Sequence, residues 1–246
     1  MSDELNAAAP RAIPRRVSPS ALDRYRRCPR SFLLCDVERW PRTEIPSPTL
    51  TQANAIHHAL ERFFGLPRDD RTVEALHKAL RWAWPQHRSS ETFASREQEI
   101  EFGRSALEML SNFYETFDTS AIPVARERWV SAELASGVAV FGKVDRVDEC
   151  GDGLSVVDYK TGRHQIDSLD LRDESAVMVY VAGAEAVFGL PVSRVRFLYL
   201  ASGEEAIWEP EREDIQEMRE RLNGLLAQAA CETDWAPWPG PHCRWC

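Results

Sequence analysis

The chain has no apolar run approaching 18 residues. An α-helix needs about that length to cross a bilayer, so no transmembrane helix is expected. The opening stretch, MSDELNAAAPRAIPRR, lacks the apolar segment of a secretory signal. Residues 1–17 read as a disordered tail, and the chain is placed in the cytoplasm, where thiols stay reduced. Six cysteines in such a compartment favour metal binding or burial over disulfides. A Walker-type glycine loop is missing, so a motor would have to come from another protein. Internal repeats and low-complexity tracts are missing too, apart from the Ala/Arg-rich start. So is a surplus of positive charge: the net charge of −9 argues against coating nucleic acid with the whole surface.

What is present is enough for a substantial core, with 246 residues of which 43% are hydrophobic. Positive charge is concentrated locally. Residues 11–30 hold Arg11, Arg15, Arg16, Arg24, Arg26, Arg27 and Arg30 against the single acid Asp23. Such a patch can hold phosphates, or be a solvated helix face. Ser18-Pro19 suits the start of a helix, which carries Leu22, Tyr25, Phe32 and Leu33 on one side. A Pro-broken loop at 41–48 precedes helices expected over 51–64, 72–84 and 95–117. Then the pattern turns to strands at 124–134, 138–148 and 154–160. An apolar helix follows at 174–188, strands at 193–201 and 205–209, and an amphipathic helix at 211–230. This order suits an α/β core with a mixed sheet flanked by helices, and 51–118 reads as a helical insertion or subdomain resting on it.

Three stretches carry the chemistry: AIHHALE at 55–61, GKVDRVD at 142–148 and VVDYKTG at 156–162. Asp158 and Lys160 are two apart in a β-rich run, so both leave the same face of one strand. Apolar alternation stops at Glu149 and resumes at Leu154, with CGDG between, which signals a hairpin. A turn near Gly151–Asp152 puts Asp145 opposite Asp158. Directly opposed carboxylates are costly, and a bound cation relieves the cost. Phosphodiester hydrolysis needs such a cation to acidify water and neutralise developing charge. Carboxylate oxygens suit Mg²⁺ or Mn²⁺, and a lysine beside them can stabilise that charge. Ordinary ion pairs on a surface hairpin are the plainer reading of the same residues. His57 shares a helix face with Ala53, Leu60 and Glu61, so it points inward, as a structural histidine or as a nitrogen ligand.

Near the end, Cys243 and Cys246 have a chelating spacing, with Cys28 as a third thiol and Cys231 or Cys35 as a fourth. Four thiolates are needed for a structural zinc or an iron–sulfur site. The tail tryptophans Trp235, Trp238 and Trp245 either stack on unpaired bases or pack on the core.

Taken together, these motifs resemble those of the RecB-type branch of the PD-(D/E)XK nuclease superfamily. That branch includes the nuclease domains of bacterial recombination helicase–nucleases and the CRISPR adaptation nucleases. The resemblance lies in SPSALDRYRRCPRSFLL, AIHHALERFF, GKVDRVD, VVDYKTG, SAVMVYVAGA and PGPHCRWC. It spans about 18–246 as a single domain, with the helical part at 51–118, a core at 122–210, and a closing helix and cysteine tail at 211–246. It implies the restriction-endonuclease-like fold. It implies a metal held by His57, Asp145, Asp158 and the Tyr159 carbonyl, with Asp145, Asp158 and Lys160 as the catalytic set. Tyr180, Arg24 and Arg27 are the implied DNA contacts. Cys28, Cys243 and Cys246 are implied to be three of the four ligands to a [4Fe–4S] cluster. Ala176 departs from the pattern, standing where the family has glutamine.

The expected activity is therefore a metal-dependent deoxyribonuclease, an exonuclease on DNA ends or single strands in recombination or repair. A helicase or recombination partner would deliver the DNA. Two rivals are a catalytically inactive DNA-binding scaffold of the same fold, and a zinc- or cluster-stabilised protein-interaction domain.

Overall fold

The structure is a computed structural model, which describes residues 12–41, 47–163 and 165–246. Residues 1–11 of the expected disordered tail, Arg11 among them, lie outside the described residues, as do 42–46 of the loop at 41–48. Strand β1 (Arg16–Val17) pairs in parallel with Ala139 and Val140. The tail therefore yields at least these two residues to the sheet, and the ordered fold begins before Ser18.

Helix α1 (Pro19–Arg27) opens as its sequence suggests, with the Ser18 hydroxyl accepting the Ala21 N–H at 3.3 Å. It stops sooner than the apolar spacing implied. Cys28 precedes Pro29, whose ring disfavours the helical region for the residue before it. Cys28 is extended (φ −163°, ψ 104°), and a short helix α2 (Pro29–Phe32) runs on into a π-turn at Leu33–Val37. Leu22, Tyr25, Phe32 and Leu33 all reach the core in spite of the break.

Helices α3 (Pro48–Phe63), α4 (Val73–His87) and α5 (Arg96–Thr116) follow, each capped by a hydroxyl, from Ser47, Thr72 and Ser95. The remaining elements are β2 (Pro123–Glu133), β3 (Ala139–Cys150), β4 (Gly153–Lys160), α6 (Ser175–Phe188), β5 (Val192–Tyr199), β6 (Glu204–Trp208) and α7 (Arg212–Ala230). Six strands form one mixed sheet, ordered β1-β3-β4-β5-β6, with β2 also on β3. β4 and β5 are parallel and joined through α6; the β2–β3, β3–β4 and β5–β6 pairs are antiparallel.

Helices cover both faces of the sheet. On one face α1, α6 and α7 enclose a core with Val130, Val144, Val156 and Phe197. On the other, α3, α4 and α5 pack Phe63, Leu76, Leu110 and Phe113 against Val157, Tyr159, Leu198 and Leu200. The segment at 51–118 is thus a layer sharing its core with the sheet, each fully buried Leu or Phe contributing ~1.5–3 kcal/mol. No described helix is long and apolar enough to cross a membrane. Trp235 of the tail packs on the core, stacked on Phe32 at 6.1 Å, whereas Trp238 is exposed.

Helix α6 sits unusually close to β2 and β3, and two glycines permit it. A Cβ on Gly183 would meet Val130 Cγ2 at 2.7 Å, and one on Gly142 would meet Tyr180 Cε1 at 2.8 Å. Gly183→Ala is therefore expected to cost about 1–3 kcal/mol through overpacking. Gly224→Ala, on the exposed side of α7 with nothing within 4 Å of the new Cβ, is expected to add about 0.5–1 kcal/mol from helix propensity. Urea denaturation of both variants checks the pair; equal stabilities would refute the close-approach account.

Candidate metal centre

The site lies at a fork in the sheet. The β3–β4 hairpin turns at Gly151–Asp152, with Gly151 left-handed (φ +59°). The strands pair from Cys150↔Gly153 to Arg146↔Val157. The next residues are Asp145 and Asp158, the pair expected to face each other. β2 occupies one whole edge of β3, so β1 and β4 must share the other. Between them, residues 141–145 have no strand partner on that edge among the described residues. Asp145 sits where the gap begins. Its Oδ2 accepts the Tyr159 backbone N–H at 2.7 Å, which ties one acidic motif to the main chain of the other.

His57 enters from α3, as its helix face implied. Its Nδ1 lies 3.1 Å from Asp145 Oδ1 and its Nε2 lies 3.0 Å from the Tyr159 carbonyl oxygen. Both partners are acceptors, so both ring nitrogens donate and the ring is an imidazolium. Burial disfavours that charge, but the Asp145 carboxylate outweighs it, with Glu127 and Asp158 adding to it, and His57 is lifted to about 10.

Glu127, on β2, completes the group. The ligand atoms of His57, Glu127 and Asp145 all lie within 4.8 Å of one another. Glu127 Oε2 is 2.5 Å from Lys143 Nζ. Its Oε1 is buried without a hydrogen-bond partner, 3.8 Å from His57 Nδ1. Burial opposes the charge of Glu127, yet His57 and Lys143 hold it below the usual carboxylate range. Its backbone is left-handed (φ +45°). For a non-glycine residue this stores about 1–3 kcal/mol, a kind of strain concentrated at functional sites. Sequence reasoning missed Glu127. In ARERW it is one charge among several on a strand, and only the pairing of β2 with β3 brings it to Asp145.

Asp158 stands beside this group, buried, with its Oδ2 2.7 Å from Lys160 Nζ. Burial lifts Asp158 to about 6; Lys160 opposes the rise and Asp145 adds to it. Burial likewise disfavours the Lys160 ammonium, but Asp158 outweighs it and the lysine is raised. It therefore stays charged at neutral pH and can donate, but cannot act as a base there. Tyr180 faces the same place from α6. Burial first, then the Asp158, Asp145 and Glu127 carboxylates, push its hydroxyl far up.

Other sequence-derived candidates fall elsewhere. Arg24 is already engaged, its Nη1 donating to both Asp36 oxygens at 2.7 and 2.5 Å. Arg26 braces the start of α6 through the Asp173 carbonyl and the Ser175 hydroxyl, while Arg27 is exposed. The basic patch is thus partly structural. Cys28 is buried, and Cys243 and Cys246 are exposed. Cys246 Sγ lies 3.7 Å from the Ser31 hydroxyl, so the tail returns to α2, near Cys28. Among the described residues these thiols form no group of three with sulfurs within 4.8 Å of one another, the spacing a single metal ion would need.

The residues at the fork do fit a hard divalent cation. They offer carboxylate and carbonyl oxygens, one imidazole, and a buried carboxylate oxygen with no other partner. A family model described as the PD-(D/E)XK nuclease superfamily matches residues 16–246. The chain belongs to this superfamily. A nuclease of this kind is a metal-dependent phosphodiesterase, which agrees with the donor set. The solved structure of a "putative exonuclease" from Eubacterium rectale is 11% identical, with a TM-score of 0.53 over 100% of this chain and 93% of that one. The likeness is one of fold. No curated protein matches the chain.

Cation binding at this nuclease's fork should stabilise the fold by about 2.7 kcal/mol at a hundredfold excess over Kd, and so raise the thermal midpoint. The sign of the pH dependence follows from two groups. Below about 6 Asp158 is protonated, which weakens the site. The His57 proton, held up to about 10, must leave before the ring can ligate. The Mg²⁺- or Mn²⁺-induced shift in scanning calorimetry is therefore expected to grow steadily from pH 5 to 9. It should be lost in Asp145→Asn and reduced in Glu127→Gln. A shift that ignores pH, or survives Asp145→Asn, would put the cation elsewhere.

Proposed function

We propose that the protein is a RecB-type deoxyribonuclease, an exonuclease acting on DNA ends or single strands. The observation that carries this reading is the gathering of Asp145, Asp158, Lys160 and His57 from three elements at one fork. His57, Asp145, Asp158 and the Tyr159 carbonyl would hold the cation, with Glu127 as an added carboxylate. A bound divalent cation supplies a water acidic enough to attack phosphorus and offsets charge on the phosphate. Tyr159 contributes through its main chain, its carbonyl facing His57 and its N–H steadying Asp145. Lys160, permanently an ammonium, stabilises the negative charge that builds on phosphate oxygen. Asp158 orients that ammonium through their 2.7 Å contact. Tyr180, close to the same carboxylates, would position the substrate from the α6 side. Arg27 remains available to phosphate; Arg24 would first have to leave Asp36.

The setting proposed is the cytoplasm and DNA recombination or repair, with a helicase or similar partner presenting the DNA. The resemblance-based [4Fe–4S] cluster needs four thiolates. Cys28, Cys243 and Cys246 would supply three of them, and Cys231 or Cys35 is the candidate for the fourth. Stoichiometric iron and acid-labile sulfide in anaerobically purified protein would establish the cluster, and iron-free protein would remove it.

End-labelled single- and double-stranded DNA, incubated with Mg²⁺, Mn²⁺ or EDTA, tests the activity. Cleavage should require the cation, and Asp158→Ala or Lys160→Ala should lower it by about 10²–10³-fold. A mononucleotide ladder from one end would establish exonuclease action. DNA binding without cleavage under every cation would instead favour the scaffold reading, which the Ala176 substitution supports.

A further inference from the structure

The metal centre opens into a cleft of about 510 Å³ whose lining includes His58 and His87 on the helical side and Glu127 and Lys143 on the sheet side. Just beyond each wall stands an exposed tryptophan held from one side. On the helical wall, Trp82 of α4 is 44% exposed. The Arg62 guanidinium lies 3.9 Å from its ring centroid, and the His58 ring meets it edge-on at 4.8 Å. On the sheet wall, Trp129 of β2 is 60% exposed. It lies directly across from Lys143 and stacks on Phe141 at 5.8 Å and 26°. Arg16 of β1 in turn covers Phe141 at 4.7 Å.

Large exposed aromatics are informative when they cluster with a purpose-built neighbour. Here Trp82 is braced directly by Arg62, and Trp129 by Phe141, on which Arg16 lies in turn, so positive charge stands close to both. Both also touch or face a residue that lines the metal cleft. We propose that Trp82 and Trp129 are stacking platforms for unpaired bases on the two sides of the scissile phosphate, which makes the cleft a track for single-stranded DNA. The inference rests on the nuclease reading above. A duplex hides its base faces, whereas a single strand offers them to aromatic rings while its phosphates follow the cations. Lys143, half-exposed beside Glu127, is placed to meet a phosphate next to the metal ligands. Neither tryptophan belongs to the ligand set, so binding of the strand and binding of the cation are separable.

The test is fluorescence anisotropy of the full chain with labelled oligo-deoxythymidine of about 15 nucleotides, within the usual site-size range, in EDTA to prevent cleavage. Trp82→Ala and Trp129→Ala are each expected to weaken binding about tenfold, the lower range for loss of one base stack. Trp→Phe at either position should restore most of it. The cation-induced thermal shift should stay as in wild type, which shows that the variants fold and hold metal. Equal affinity in wild type and both alanine variants would overturn the proposal. So would no binding by wild type, or duplex DNA or oligo-uridine bound as tightly as oligo-deoxythymidine. If the tryptophan variants lose binding but wild type shows no cation-dependent cleavage, the track stands and the hydrolytic reading falls.

Discussion

The site depends on a competition for one edge of one strand. β3 is twelve residues long and offers its second edge to two partners, the two-residue β1 and the hairpin strand β4. Neither reaches the middle. The stretch left over is where the regular ladder ends, and a polar side chain there is not committed to filling a sheet face. Asp145 and Asp158 stand on either side of that opening. The hairpin ladder that fixes their register is the same ladder that stops just short of them. Without the fork, the two carboxylates would meet as ordinary cross-strand neighbours and repel.

Charge balance around the fork is close. Three carboxylates, Asp145, Asp158 and Glu127, face three cations, His57, Lys160 and Lys143. Lys160 pairs with Asp158 and Lys143 with Glu127. The His57 imidazolium bridges Asp145 and the Tyr159 carbonyl, both of them oxygens suited to a divalent ion. In the metal-free protein a proton on His57 thus supplies the positive charge that the group needs. A divalent cation held at the proposed site would take over that role, an exchange of charge at one place.

Much of the site was legible in the sequence because its spacing is local. Period-2 alternation broken by CGDG was enough to set Asp145 against Asp158, and Lys160 follows two residues later on the same strand. His57 was legible from its place on an apolar helix stripe and from the motif around it. Glu127 was not, since its role comes from the pairing of strands whose register no local pattern states. The end of α1 at Cys28 was legible in principle: Pro29 disfavours a continuous helix, and the apolar spacing across it misled because α2 and the π-turn bury Phe32 and Leu33 on the same core. Two-residue β1 gives no periodicity at all. Arg24 read as free charge because its partner, Asp36, lies in the π-turn, twelve residues on and beyond a helical i, i+4 spacing.

Tyr159 serves the fork with its amide and carbonyl, while its ring points into the α3–α5 layer, meeting His57 edge-on at 5.8 Å, and its hydroxyl accepts from Arg146. The main chain and the side chain therefore answer to different demands, the first to hydrogen bonding at the fork and the second to packing beneath the helices and against His57. A lineage could exchange the tyrosine for another residue that packs beneath the helices and against His57, so long as a compensating change served Arg146, and leave the amide and carbonyl at the fork in place. Residue identity at position 159 is a poor guide to which relatives keep the chemistry, whereas an insertion or deletion that shifts β4 by one residue would remove it at a stroke.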